Sequence, residues 1–179
     1  MNLAVIGAGS WGTTYAKILA DSGHQVALYS RRSELADEIN THRRNSDYLP
    51  GITLPESITA TSDLQSALAD AEQIYLAIPS NTLREFLVES RSMFGDALIV
   101  SLMKGLESQT QKRMSEVIAE VAEVDINRVV VVSGPNLALE IAQGQPAASV
   151  AACSNIDNAM SVAKASSNEY FTVFANEDV

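Results

Sequence analysis

Short apolar runs recur along the chain at Leu3–Ile6, Gln25–Tyr29, Gln73–Ile78, Ala97–Leu102 and Arg128–Val132. Each is nearly continuous, with little polar alternation. That is the pattern of strands buried on both faces, as in a parallel sheet. Stretches of helical length separate them: Trp11–Asp21, Ser33–Arg44, Asp63–Ala69, Asn81–Met93 and Thr110–Val121. In the last of these Met114, Val117, Ile118 and Val121 share one face at helical spacing. Asp63 suits a helix N-cap. The alternation predicts an α/β fold, a doubly wound, mostly parallel sheet. After Val132 the elements shorten. A short helix over Pro135–Ala142, a strand over Pro146–Ala152, a helix over Ile156–Ala165 and a strand over Tyr170–Phe174 would complete the same sheet.

Composition narrows the chemistry. One cysteine, Cys153, excludes an internal disulfide framework and multi-cysteine metal sites, and two histidines, His24 and His42, leave little for a histidine-based centre. No metal site is expected. The 22 acidic residues outnumber the 12 basic ones, for a formal net charge of -10. That balance argues against nucleic acid as a partner, so an anionic ligand needs a local basic patch. No apolar stretch approaches a membrane span of roughly 18 residues. The N-terminus shows neither a basic leader nor a long apolar signal core, which makes the cytoplasm the default location. Cys153, in an Ala-Ala-Cys-Ser setting, reads as a small buried hydrophobe. Glu34, Asp37 and Glu38 read as a solvated helix face, as do Glu116, Glu120 and Glu123.

The strongest chemical signal is Gly7-Ala-Gly-Ser-Trp-Gly12, a G-x-G-x-x-G turn between the first strand and the first helix. Gly7 suits the tight turn, Gly9 leaves room for a pyrophosphate, and Gly12 lets helix and strand pack closely. Ser10 and Trp11 carry the first unpaired amides of the helix N-terminus, where phosphate binds well. The plainer reading is a glycine-shaped turn with no ligand. Sites for NAD usually place an acid at the end of the second strand to bind the ribose hydroxyls. Here that strand ends in Ser30-Arg31-Arg32. Two guanidiniums attract a 2′-phosphate that an acid would repel, so NADPH is favoured over NADH. The alternative is a pair of solvated loop charges. Arg43 and Arg44 add positive charge one helix later, facing a direction that sequence does not give. Ala77-Ile-Pro-Ser80, Ser101-Leu-Met-Lys104 and Ser133-Gly-Pro all fall at the carboxyl ends of predicted strands, the edge that forms the ligand crevice of an open α/β sheet. Lys104 could hold a phosphate or hydroxyl there, or be an ordinary surface lysine. Pro135 and Asn136 would begin another helix at that edge.

Gly7-Ala-Gly-Ser-Trp-Gly12, Tyr48-Leu-Pro-Gly51, Ala77-Ile-Pro-Ser80, Lys104-Gly-Leu-Glu107 and Ser133-Gly-Pro-Asn136 occur in that order. Together they resemble the N-terminal domain of the bacterial NAD(P)-dependent glycerol-3-phosphate dehydrogenase family, from Leu3 to Val179. The resemblance implies NAD(P)H-dependent reduction of dihydroxyacetone phosphate to sn-glycerol 3-phosphate, which supplies the backbone of phospholipids. It implies cofactor contacts from Ser10, Trp11, Arg31, Arg32, Tyr48, Lys104 and Ala138, and substrate contacts from Lys104 and Gly134. Asn136 stands where the family usually carries Ser or Thr, and its amide can still hydrogen-bond.

The family's proton donor is a lysine on a second, all-helical domain, through which a homodimer would also form. Residues 1–179 therefore read as an NAD(P)-binding domain without catalytic residues of its own and with negligible turnover alone. The end at Asn176-Glu-Asp-Val179, just after a predicted strand, fits a truncation. Two other readings stand beside this one. Another two-domain dehydrogenase, of ketopantoate or prephenate type, would share the glycine turn. A non-catalytic NADPH sensor would explain the missing catalytic half.

Overall fold

The first strand shows why its sequence lacks alternation. In the computed structural model, which describes residues 1–179, Leu3 and Val5 of β1 (Asn2–Ile6) enter one apolar core while Ala4 and Ile6 enter another. Both faces of the strand are covered, so Leu3 to Ile6 are all apolar and buried. The same division recurs in β4 (Gln73–Leu76), where Tyr75 faces the first core and Ile74 and Leu76 face the second.

The remaining elements, in chain order, are α1 (Ser10–Asp21), β2 (Gln25–Tyr29), α2 (Ser33–His42), β3 (Ile58–Thr61), α3 (Leu64–Leu68), then α4 (Leu83–Ser90) after β4, β5 (Leu98–Ser101), α5 (Met114–Ala122), β6 (Val129–Ser133), α6 (Ala138–Ala142), β7 (Ala147–Ala152), α7 (Ile156–Ser166) and β8 (Phe171–Asn176). The strands form one eight-stranded sheet in the order β3-β2-β1-β4-β5-β6-β7-β8. All neighbours are parallel except β6 and β7. Helices α1, α2, α6 and α7 supply the first core; α3, α4 and α5 supply the second. The expected doubly wound, mostly parallel α/β fold is what the chain adopts.

The chain moves outward from β1 through β2 to β3, then returns to place β4 on the other side of β1. That reversal opens a crevice at the carboxyl ends of β1 and β4. Backbone bonds set its walls: Gly7 N–H donates to Tyr29 O at 3.1 Å, and Ala77 N–H to Ile6 O at 2.9 Å.

Four local features differ from the sequence reading. Strand β3 was not anticipated, because as an edge strand it buries only Ile58 and Ala60. Its register is held by side chains. Asn40 donates to Ala60 O and accepts from Ala60 N–H, both at 2.8 Å, and Arg43 donates to Ile58 O at 2.7 Å. The segment Asn81–Met93 is a shorter helix flanked by two 3₁₀ turns. Helix α5 begins at Met114 rather than Thr110, where the Glu116 carboxylate accepts from Arg113 N–H at 2.8 Å. Pro135 and Asn136 do not begin a helix; α6 starts at Ala138.

The last strand belongs to the main core. Phe171 is fully buried, with its ring centroid 6.1 Å from that of Tyr15, which in turn lies 5.2 Å from Tyr75. Such aromatic pairs contribute about 0.5–1.5 kcal/mol each beyond area burial. The Tyr15 hydroxyl donates to Ser166 Oγ at 2.8 Å, so its polar end is satisfied inside the core.

Candidate functional site

The glycine turn has three glycines with distinct reasons to lack a side chain. Gly7 has φ +111°, and a Cβ there would lie 2.6 Å from Ala77 O. A Cβ on Gly12 would fall 1.8 Å from Gly7 O. Those two are required by the protein's own packing. A Cβ on Gly9 would meet nothing within 4 Å. Gly9 lies on the wall of a cavity of about 740 Å³, so its bareness leaves open space where a ligand backbone can approach. Gly9 is also the N-cap of α1, with no side-chain cap and no acid in the first turn. Helix geometry leaves the Ser10, Trp11 and Gly12 amides without intrahelical partners, and the helix dipole favours an anion beside them.

Gly7, Gly9, Ser10, Trp11, Gly12, Arg31, Arg32 and Tyr48 all line this cavity. The end of β2 supplies the two arginines. Arg31 is exposed and takes part in no ion pair. The Arg32 Nη2 lies 2.6 Å from Asp47 Oδ2, and its guanidinium sits over the Tyr48 ring, 5.7 Å from the centroid. Asp47 and Asn45 were missed from sequence, where they look like ordinary polar loop residues. Asn45 is fully buried. It donates to Ala8 O at 2.9 Å and to Thr13 Oγ1 at 2.8 Å, and accepts from Tyr48 N–H at 3.2 Å. Ser10 Oγ donates to Tyr48 O at 2.7 Å. The 45–48 segment is thereby fastened across the glycine turn. The Ser30 hydroxyl is not free for a ligand: it is buried, donates to Arg32 O at 3.1 Å and accepts from Arg32 N–H at 3.2 Å.

Arg43 and Arg44 do not join the site. Arg43 turns toward the carbonyls of Pro55 and Ile58, and Arg44 Nε lies 3.3 Å from a Glu38 oxygen. The acidic helix faces are more engaged than expected. Glu38 also accepts from Ser46 Oγ at 2.5 Å, Glu120 pairs with Arg84 and Lys112, and Glu123 pairs with Arg91. Cys153 is buried, and burial pushes its thiol pKa up, as suits an inert residue.

The far wall of the cavity is mainly apolar, with Ala77, Ile78 and Pro79 after β4, Phe86 on α4, and Leu102 and Met103 after β5, but Glu85 and Glu89 of α4 line it too. Lys104 follows directly but does not line this space. Its Nζ donates to Gly134 O at 2.7 Å, which joins the ends of β5 and β6. Gly134 is bare because β7 is close: a Cβ would lie 2.7 Å from Ala148 O and 2.8 Å from Ser149 Oγ. Asn136 donates to Ser149 Oγ at 2.6 Å, while its own Oδ1 is buried and has no partner. An orphaned acceptor of that kind costs about 1–3 kcal/mol unless a donor reaches it. Ala138 opens α6, and its carbonyl accepts from Thr14 Oγ1 on α1 at 3.2 Å. Lys104, Gly134 and Asn136 thus form a second polar group at the same edge of the sheet.

The segment carrying Lys104 is pinned from outside. The Glu107 carboxylate accepts from Arg84 Nε at 2.8 Å and Arg84 Nη2 at 2.9 Å, and also from the Thr110 hydroxyl. The Arg84 guanidinium first, then Thr110, hold the Glu107 pKa down at about 2.

A family model described as the NAD-dependent glycerol-3-phosphate dehydrogenase N-terminus matches residues 2–159. A glycerol-3-phosphate dehydrogenase [NAD(P)+] of Corynebacterium kroppenstedtii is 51% identical over 178 residues, which are 99% of this chain and 54% of that protein. One from Corynebacterium glutamicum is 52% identical over 180 residues, 100% of this chain and again 54% of the relative. The crystal structure of the Coxiella burnetii glycerol-3-phosphate dehydrogenase superposes with a TM-score of 0.90 at 32% identity, covering 99% of this chain and 54% of that one. The chain spans about half the length of the curated relatives it matches. On the family match and these identities, the chain belongs to the family of the NAD-dependent glycerol-3-phosphate dehydrogenase N-terminus.

Proposed function

We propose that residues 1–179 are the dinucleotide-binding domain of a glycerol-3-phosphate dehydrogenase, with NADPH preferred to NADH. The observation that carries the reading is Gly9. It is the one glycine of the turn whose missing side chain serves no internal packing, and it opens onto a cavity beneath free helix amides. In this reading the amides of Ser10, Trp11 and Gly12 hold the diphosphate. Arg31 and Arg32 attract the 2′-phosphate, with no acid at the tip of β2 to repel it. Tyr48 closes the ribose end, and the apolar wall from Ala77 to Met103 shelters the nicotinamide half. When bound, the reduced nicotinamide supplies a hydride to a substrate carbonyl.

Beyond that wall, Lys104 and the end of β6 take dihydroxyacetone phosphate. The Lys104 ammonium bonds a substrate oxygen, the Gly134 backbone lies alongside, and the orphaned Asn136 Oδ1 accepts a substrate hydroxyl. Ala138 borders the cofactor. The product, sn-glycerol 3-phosphate, would serve as a phospholipid backbone. Because the chain spans about half of its relatives, it is proposed to bind cofactor with negligible turnover by itself.

The single tryptophan, Trp11, lies in the site and reports on it. NADPH should quench Trp11 fluorescence saturably, and the same sample should leave dihydroxyacetone phosphate unreduced. Absence of quenching and of calorimetric heat would refute cofactor binding. Turnover comparable to a full-length relative would refute the assignment as a cofactor half.

A further inference from the structure

Arg31 and Arg32 stand side by side on the cavity wall, but only one of them is free. The Asp47 carboxylate lies 2.6 Å from the Arg32 guanidinium, while Arg31 pairs with no acid. Asp47 itself does not line the cavity. Its segment has little freedom to swing away. Asn45 bonds it to the glycine turn, and Ser10 bonds to the Tyr48 carbonyl next in sequence. The Tyr48 ring beneath the guanidinium fixes Arg32 from a third direction.

We propose that Asp47 is a specificity-determining residue that sets how strongly this site discriminates NADPH from NADH, by neutralising Arg32 and leaving Arg31 as the principal 2′-phosphate cation. This rests on the cofactor assignment above. An anion arriving at Arg32 must share it with a carboxylate already hydrogen-bonded there, and that carboxylate repels the phosphate. The pair is about half exposed on both sides, so water screens the effect without abolishing it. An unphosphorylated ribose feels neither term. Asp47 therefore lowers affinity for one dinucleotide and leaves the other nearly unchanged, which would let a single site accept both.

The test is titration of the 179-residue chain with NADPH and NADH, read by Trp11 fluorescence. Asp47→Asn keeps the volume and the exposed position while removing the charge. It should tighten NADPH binding about three- to tenfold, the size expected from a single screened charge near a phosphate, and move NADH less than twofold. Arg31→Ala should weaken NADPH more than Arg32→Ala does in the native chain. In the Asp47→Asn background the cost of Arg32→Ala should grow. Glu34→Gln removes an equal charge from the first turn of α2 without touching the Arg32 bond, and should shift the NADPH/NADH ratio less than twofold. If the arginine variants lower the ratio while Asp47→Asn leaves it fixed, the role of Asp47 is overturned and the cofactor reading survives. If Glu34→Gln raises the ratio as much as Asp47→Asn, the effect is a general field and the specific role is overturned. If neither arginine variant changes the ratio, the 2′-phosphate reading falls and this inference falls with it.

Discussion

The two ends of the crevice are built by different means. On the β1–β2 side the site is made largely of backbone: a glycine turn, free amides at the start of α1, and a loop fastened by the neutral, fully buried Asn45. On the β5–β6 side it is made of side chains, with Lys104 reaching to Gly134 and Asn136 leaving one acceptor unpaired. The first end offers the unpaired backbone amides of α1 to an anion. The second contains an unmet hydrogen bond. A backbone-built site tolerates little change in covalent geometry, whereas a site built from charged side chains responds to pH and to conservative substitution.

The largest expected effect comes from adding one methyl group to the backbone-built end. Gly12→Ala places a carbon on the Gly7 carbonyl and should destabilise the fold by about 3 kcal/mol or more, above the usual cost of overpacking, as measured by urea denaturation. Gly134→Ala should cost less, about 1–3 kcal/mol, because the Ser149 hydroxyl can turn aside even though Ala148 O cannot. Equal, negligible losses at both positions would show that neither glycine is held bare by its neighbours.

How much of this was legible in the sequence follows the same division. The glycine turn, the central strands and both arginines could be read, since continuous apolar runs and glycine spacing are local signals. Strand β3 could not, because Ile58 and Ala60 alone face inward and its edge is held by Asn40 and Arg43 from elsewhere in the chain. Asn45 and Asp47 were hidden for a related reason. Their importance lies in contacts with Ala8, Thr13 and Arg32, and nothing in a polar loop announces long-range partners. The start of α6 was misread by three residues because Pro135 suits either a first helical turn or the loop it occupies. Phe86, inside the helical stretch Asn81–Met93, carried no signal of its own, yet it lines the cavity.

A smaller effect should separate the two ends by pH. The Glu107 pKa is lowered to about 2 from an ordinary value near 4.5, by Arg84 above all. A depressed carboxylate stabilises the folded state fully above its ordinary pKa, and that contribution is lost as pH falls through the folded value. Acidification from about 4.5 toward about 2 should therefore loosen the 104–113 segment progressively. The Asn45 latch carries no charge and should hold over the same range. Amide hydrogen exchange at Glu107 and Gln111, compared with Thr13 and Tyr48, measures this. In Glu107→Gln the segment should already exchange faster at neutral pH, with no further acid step of its own.

The most direct measurement compares Gly9→Val with the native chain, following NADPH binding by calorimetry and stability by denaturation. A Cβ at Gly9 meets nothing within 4 Å, so the new side chain starts into the open cradle. The fold should lose only the modest amount expected of a poorer N-cap, while NADPH affinity falls at least about a hundredfold, the order expected when a phosphate loses two charge-assisted bonds. Undiminished NADPH binding by a normally folded Gly9→Val variant would contradict the account.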